Sequence, residues 1–209
     1  LELDLSHQDL GANSDWAVLG GGELTDLKKL YLDGNGITAV SAAIAQLTSL
    51  EYLALSGNDL HLTGGLPIEI AQLTSLKSLD LSNNNVTRLS ADFCGAPGTL
   101  PASGSCLGAV LMQLTGLEEL SLAHNDLTSF PAEIGQLTGL KRLDLQHNHL
   151  TSVPAEIGQF TRMTYLALND NKLASLPAEI GQFEYLAEVR LENNTLTMIP
   201  DLNTPLAFR

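Results

Sequence analysis

Bases are scarce in this chain: 10 lysines and arginines stand against 24 aspartates and glutamates in 209 residues, a formal net charge of −14. Nucleic acid and anionic lipid are therefore poor partners, because their phosphates would be repelled; a protein with a basic surface is the better match. Aromatic residues make up only 5%, so the core must be tiled by aliphatic side chains. No apolar run approaches the ~18 residues of a membrane span, and no basic amphipathic helix or charged-then-apolar leader occurs. Two cysteines cannot close a four-ligand zinc site, and their spacing is not C-x-x-C. The phosphate-binding loop, the nucleophile elbow, the H-E-x-x-H helix and the dinucleotide glycine fingerprint are all missing. The chain reads as no enzyme, and no cofactor is implied.

What is present is one motif stacked on itself. Asn35, Asn58, Asn84, Asn125, Asn148, Asn171 and Asn194 each sit in the frame L-x-x-L-x-L-x-x-N-x-[LIV], with Met163 and Val189 as single variants. Successive asparagines lie 23, 26, 41, 23, 23 and 23 residues apart, and a degenerate eighth copy with Leu3, Leu5, Gln8 and Leu10 opens the chain. The L-x-L alternation has period two, which predicts a short strand with one wet and one buried face. After it, Phe130, Ile134, Leu137 and Leu140 recur at three- and four-residue steps, which predicts a helical turn or two on the opposite side. Pro131, Pro154 and Pro177 share one offset, suited to the opening of that segment because proline fixes φ and lacks a donor.

The frame resembles the leucine-rich repeat. The run L-T-S-V-P-A-E-I-G-Q-F-T at residues 150–161 looks like the 23-residue subtype of Ras-associated and cell-polarity scaffold proteins and of algal and protist arrays. The resemblance implies an α/β solenoid: a right-handed superhelix of about eight turns with a parallel sheet on its concave face. It also implies that the seven asparagines form a structural ladder bonded to backbone groups, and that the chain works by protein recognition. With 44% hydrophobic residues, the turns can share one continuous core, read as a single domain over 1–209.

Three departures from the 23-residue period fall in loops, where function often lies. The first adds four residues around Trp16 and Gly20–Gly22, where Trp16 is expected to plug the end of the core. The second, near Leu62–Pro67, changes the convex shape locally. The third inserts Ser90 to Leu107, which carries Cys94 and Cys106. This pair reads as a disulfide worth about 2–4 kcal/mol in an oxidising compartment, against the alternative of two free thiols in the cytosol. The sequons Asn85-Val-Thr87 and Asn193-Asn-Thr195 are compatible with secretion, and the outside or a lumen is favoured over the cytoplasm. The chain starts in mid-motif, so the expectation is either that a leader and an amino-terminal cap have been removed or that another segment covers that open end. Leu206 and Phe208, in the tail 201–209, are expected to fold over the last turn, the alternative being a docking surface for a continuation.

The outward columns of the sheet can be read directly. The central one runs Asp4, Tyr31, Ala54, Asp80, Ser121, Asp144, Ala167, Arg190; the one before it runs Glu2, Lys29, Tyr52, Ser78, Glu119, Arg142, Tyr165, Glu188. Tyrosine and arginine are common interface anchors, so Tyr31, Tyr52, Asp80, Glu119, Arg142, Asp144, Tyr165 and Arg190 are the candidate partner-binding residues. The tyrosines are expected to be exposed, with Tyr31 beside Tyr52 and Arg142 beside Tyr165. Asp144 and Glu119 are expected to be screened by water, with nothing to raise either pKa. His124 and His147 share an offset in consecutive turns and Asp170 continues the file, a weak metal candidate set against repetition of surface histidines by duplication. Recognition through the concave face and the inserted loop is thus the leading reading. A structural accessory subunit of a larger assembly is the alternative, and a metal-binding enzyme comes third.

Overall fold

The computed structural model describes residues 1–11, 24–60, 66–87, 89 and 110–200. Trp16, Gly20–Gly22, most of the Leu62–Pro67 segment, the 90–107 insertion with Cys94 and Cys106, and the 201–209 tail lie outside the described residues.

Leucines alternating with polar residues build eight three-residue strands: β1 (Glu2–Asp4), β2 (Lys29–Tyr31), β3 (Tyr52–Ala54), β4 (Ser78–Asp80), β5 (Glu119–Ser121), β6 (Arg142–Asp144), β7 (Tyr165–Ala167) and β8 (Glu188–Arg190). They form one sheet in chain order, and every neighbouring pair is parallel and in register. The middle residue of each strand turns inward. From Leu30 to Leu166 these side chains are at most 2% exposed, and they join Ile44, Ile70, Ile134, Phe160 and Met163 in one apolar core. Among the described residues no helix is long and apolar enough to cross a membrane.

Among the described residues, five segments opposite the sheet are five-residue 3-10 helices, at Ala42–Gln46, Ile68–Gln72, Ala132–Gln136, Ala155–Gln159 and Ala178–Gln182. The one or two helical turns expected there are thus of the tighter kind, which advances about 2.0 Å per residue against 1.5 Å for an α-helix. That pitch lets a short segment bridge back towards the next strand. Pro131, Pro154 and Pro177 cap these helices at φ −77°, −70° and −66°, and their carbonyls accept from Ile134, Ile157 and Ile180 N–H at 3.2 Å. Where the proline is replaced by Ser41, its carbonyl likewise accepts Ile44 N–H at 3.0 Å and its hydroxyl in addition accepts Ala43 N–H at 3.2 Å. Successive helices stack closely: a Cβ at Gly158 would lie 2.6 Å from Glu179 Cβ.

The asparagines tie turn to turn. Asn148 Nδ2 donates to Leu145 O of its own turn at 3.0 Å and to Leu122 O of the preceding turn at 2.9 Å, while its Oδ1 accepts Leu127 N–H at 3.0 Å. Asn58 and Asn171 repeat the pattern, and Asn35, Asn84, Asn125 and Asn148 are buried. Each amide satisfies backbone groups that neither sheet nor helix reaches. Replacing Asn148 by alanine leaves Leu127 N–H without its acceptor, while Leu122 O and Leu145 O keep the amides of Asn125 and Asn171; one such buried group costs about 1–3 kcal/mol. Urea unfolding of Asn148→Ala should therefore show a loss of about 2 kcal/mol; a loss below about 0.5 kcal/mol would remove the ladder's structural role.

Candidate functional site

Strand register brings the outward columns together as side-by-side files. Glu119 pairs with Arg142 and Arg142 with Tyr165 in one file; Asp80, Ser121 and Asp144 follow one another in the next. Because Ser78 and Ser121 are small, the face sinks between β3 and β7 into a basin of about 170 Å³. Six of the eight candidate residues line it: Tyr52, Asp80, Glu119, Arg142, Asp144 and Tyr165. The other two stand behind its walls. Tyr31 packs on Tyr52 with ring centroids 5.1 Å apart, and Arg190 lies 5.6 Å from the Tyr165 ring.

The far wall differs from the expectation of exposed tyrosines. Tyr165 is only 8% exposed, with the Arg142 guanidinium 4.2 Å and that of Arg190 5.6 Å from its ring centroid. Such cation–π contacts hold planar groups in a fixed stack. Burial pushes the Tyr52 and Tyr165 phenols above their ordinary pKa, with Asp80 and Asp144 respectively adding their charge.

A file of alternating charge, not recognised from the sequence, borders the face. Lys28 pairs with Glu51 at 2.8 Å, Glu51 with Lys77 at 3.3 Å, and Glu118 with Lys141 at 2.6 Å. These residues all precede a strand, so their sign change from turn to turn was legible in principle. The file occupies three lysines at the rim. Arg190 is bonded to Glu188 at 2.7 Å and Arg142 is turned onto Tyr165. Asp80, Glu119 and Asp144 consequently have no base within ion-pair distance among the described residues. Asp80 accepts Ser82 N–H, Glu119 accepts the Ser78 hydroxyl, and Asp144 accepts both the N–H and the side-chain amide of Gln146.

Asp144 also departs from the expectation of a screened carboxylate. Desolvation pushes its pKa up, the Gln146 N–H bond opposes this, and the Asp80 charge reinforces it. Desolvation likewise raises Asp33 farther along the face.

His124, His147 and Asp170 do come together, but in an arrangement set by the backbone. The residue before each ladder position is left-handed in all eight turns: His7, Gly34, Gly57, Asn83, His124, His147, Asp170 and Asn193 have φ between 52° and 64°. Glycine, asparagine, aspartate and histidine are the types that tolerate this region, which explains the composition of the file. The two imidazoles stack at 4.2 Å with planes 19° apart, ring face to ring face. Asp170 accepts Asn193 and Asn169 amides at 2.7 and 2.6 Å, which lower its pKa, and lies 3.4 Å from His147 Nε2. Its oxygens are thus committed to amides, and no group of three or more acids, histidines and cysteines among the described residues could hold a metal. His149 points away, to Asp126 at 3.6 Å.

The comparisons agree with this architecture. Models of the leucine-rich repeat match residues 115–173, 75–96 and 46–68. The chain is a leucine-rich repeat protein. Among solved structures it is similar to a leucine-rich repeat protein of Leptospira interrogans, with 30% identity and TM-score 0.60 over 95% of this chain and 56% of that one. It is also similar to the ectodomain of the plant membrane receptor kinase GASSHO1/SCHENGEN3 from Arabidopsis thaliana, solved in complex with Casparian strip integrity factor 2 (30% identity, TM-score 0.68, 94% of this chain and 21% of that one). A third is the plant peptide hormone receptor RGFR1 in complex with RGF2 (28% identity, TM-score 0.60, 80% and 24%). The chain thus spans about half of the bacterial protein and about a quarter or less of each plant receptor chain. No curated protein matches it in sequence.

Two outcomes test this geometry. His147→Val forces a β-branched side chain into a left-handed corner and should cost about 1–2 kcal/mol in chemical denaturation, whereas His147→Gly should be neutral or stabilising. For Asp144, a folded pKa raised above the unfolded value makes its contribution greatest at low pH and lost as pH rises through the folded value. Asp144→Asn should then raise the thermal midpoint at pH 7 relative to wild type, with the gap shrinking on acidification; a gap that widens would reverse the assigned sign.

Proposed function

We propose that this chain is a protein-binding module that receives an extended segment of its partner along the outward face of the sheet, centred on the basin between Tyr52 and Tyr165. One observation carries the reading. Inward side chains are consumed by the core, while five successive strands send aromatic, cationic and acidic groups to a single depression. A floor of small residues between the Tyr52 ring on one side and the Arg142–Tyr165 stack on the other suits an inserted side chain, because fixed walls lose little conformational entropy on contact. The complexes of the two plant receptors support recognition of protein or peptide ligands by this repeat class. The seven asparagines serve the scaffold and not the ligand, and the whole of 1–209 acts as one domain. Its ligand contacts are non-enzymatic and use no cofactor.

The net charge of −14 favours a partner with a basic surface, and the receptor ectodomains favour a compartment outside the cytoplasm. There Cys94 and Cys106 would be bridged and the 90–107 loop would add to the contact area. Filling the floor is the direct test. Ser121→Trp should abolish capture of the partner recovered by wild type, while Glu133→Arg, on a 3-10 helix across the core, should retain it. Equal capture by Ser121→Trp would move the binding surface elsewhere.

A further inference from the structure

The basin gathers acids without a paired base among the described residues. Three carboxylates, Asp80, Glu119 and Asp144, surround Ser121 on neighbouring strands, which lie about 4.8 Å apart, and the one base lining the basin is diverted onto a tyrosine. Glu119 and Arg142 are direct cross-strand neighbours, yet the guanidinium stacks on Tyr165 and makes no described ion pair with Glu119. Nearby lysines could have neutralised the basin, but the rim file already pairs them with Glu51 and Glu118. The acids therefore face a concave space closed on one side by the Tyr52 ring. A positive group over Ser121 would meet Asp80 on one side, Asp144 on the other and Glu119 earlier on the same strand, with Tyr52 in the basin wall two strands away. A planar guanidinium fits this better than an ammonium, since it can donate to several acceptors in its own plane while stacking on a ring.

We infer that the basin receives an arginine side chain of the protein partner, with Asp80, Glu119 and Asp144 accepting from the guanidinium and Tyr52 stacking against it. The inference rests on the sheet face being the docking surface and names what enters its centre. Relief of the crowding that Asp80 imposes on Asp144 is consistent with it, because an incoming cation offsets both charges.

The test uses the whole chain and N-acetyl-arginine N-methylamide as probe, with the lysine and citrulline analogues beside it, followed by amide NMR shifts of Ser78 and Ser121. The arginine probe should give saturable shifts at millimolar concentration, weaken as salt rises, and bind roughly tenfold more loosely to Asp80→Asn or Glu119→Gln. Citrulline keeps the shape and loses the charge, so equal binding of citrulline would overturn the inference without requiring any variant to fold. Tighter binding of lysine than arginine, or shifts confined to residues off the face, would also overturn it. If Ser121→Trp abolishes partner capture but the arginine probe fails, the face stands as the docking surface and the cation specificity alone falls.

Discussion

Successive turns of this chain satisfy one another's backbone, and everything else depends on that exchange. A three-residue strand has too few hydrogen bonds and too little buried surface to persist alone. Here each strand bonds to the turn before and the turn after, and the ladder asparagines supply the donors and acceptors that lie beyond the strand ends. The spacing of 23 residues recurs because it returns the same groups to the same height. Longer turns are accommodated outside the strand register: the interval of 41 residues between Asn84 and Asn125 leaves Ser78 opposite Glu119.

This constraint divides the side chains into two populations. Those facing in, such as Leu53, Leu120 and Leu143, are chosen by packing, and little else fits a core this dense. Those facing out are released from folding, and their identity can answer to a ligand. A basin of small floor residues and large walls is what the outward population builds between Tyr52 and Tyr165.

How much of this the sequence discloses follows from the same division. Strand register is legible because period-two alternation and a constant repeat length fix which residues become neighbours, so the pairs Tyr31–Tyr52 and Arg142–Tyr165 could be read directly. Burial on the outward face could not be. It depends on how Arg142 and Arg190 fold over Tyr165, and on the depth that Ser121 leaves beside Asp144, which are matters of side-chain conformation. The histidine file shows the opposite failure. Its imidazoles invite a chemical reading, whereas the governing fact is a left-handed corner before every ladder position, for which only the mixture of glycine, asparagine, aspartate and histidine across the eight turns is a signal.

The rim of lysine and glutamate has a consequence for how such a stack can change length. Because Lys28, Glu51 and Lys77 alternate in sign on consecutive turns, the array has a parity. Deleting one middle turn would set ammonium against ammonium, while excising two would restore the alternation. Exposed pairs of this kind are each worth at most about 1 kcal/mol, so the bias is slight in any one molecule. Over many rounds of duplication and loss it would favour steps of two turns over steps of one.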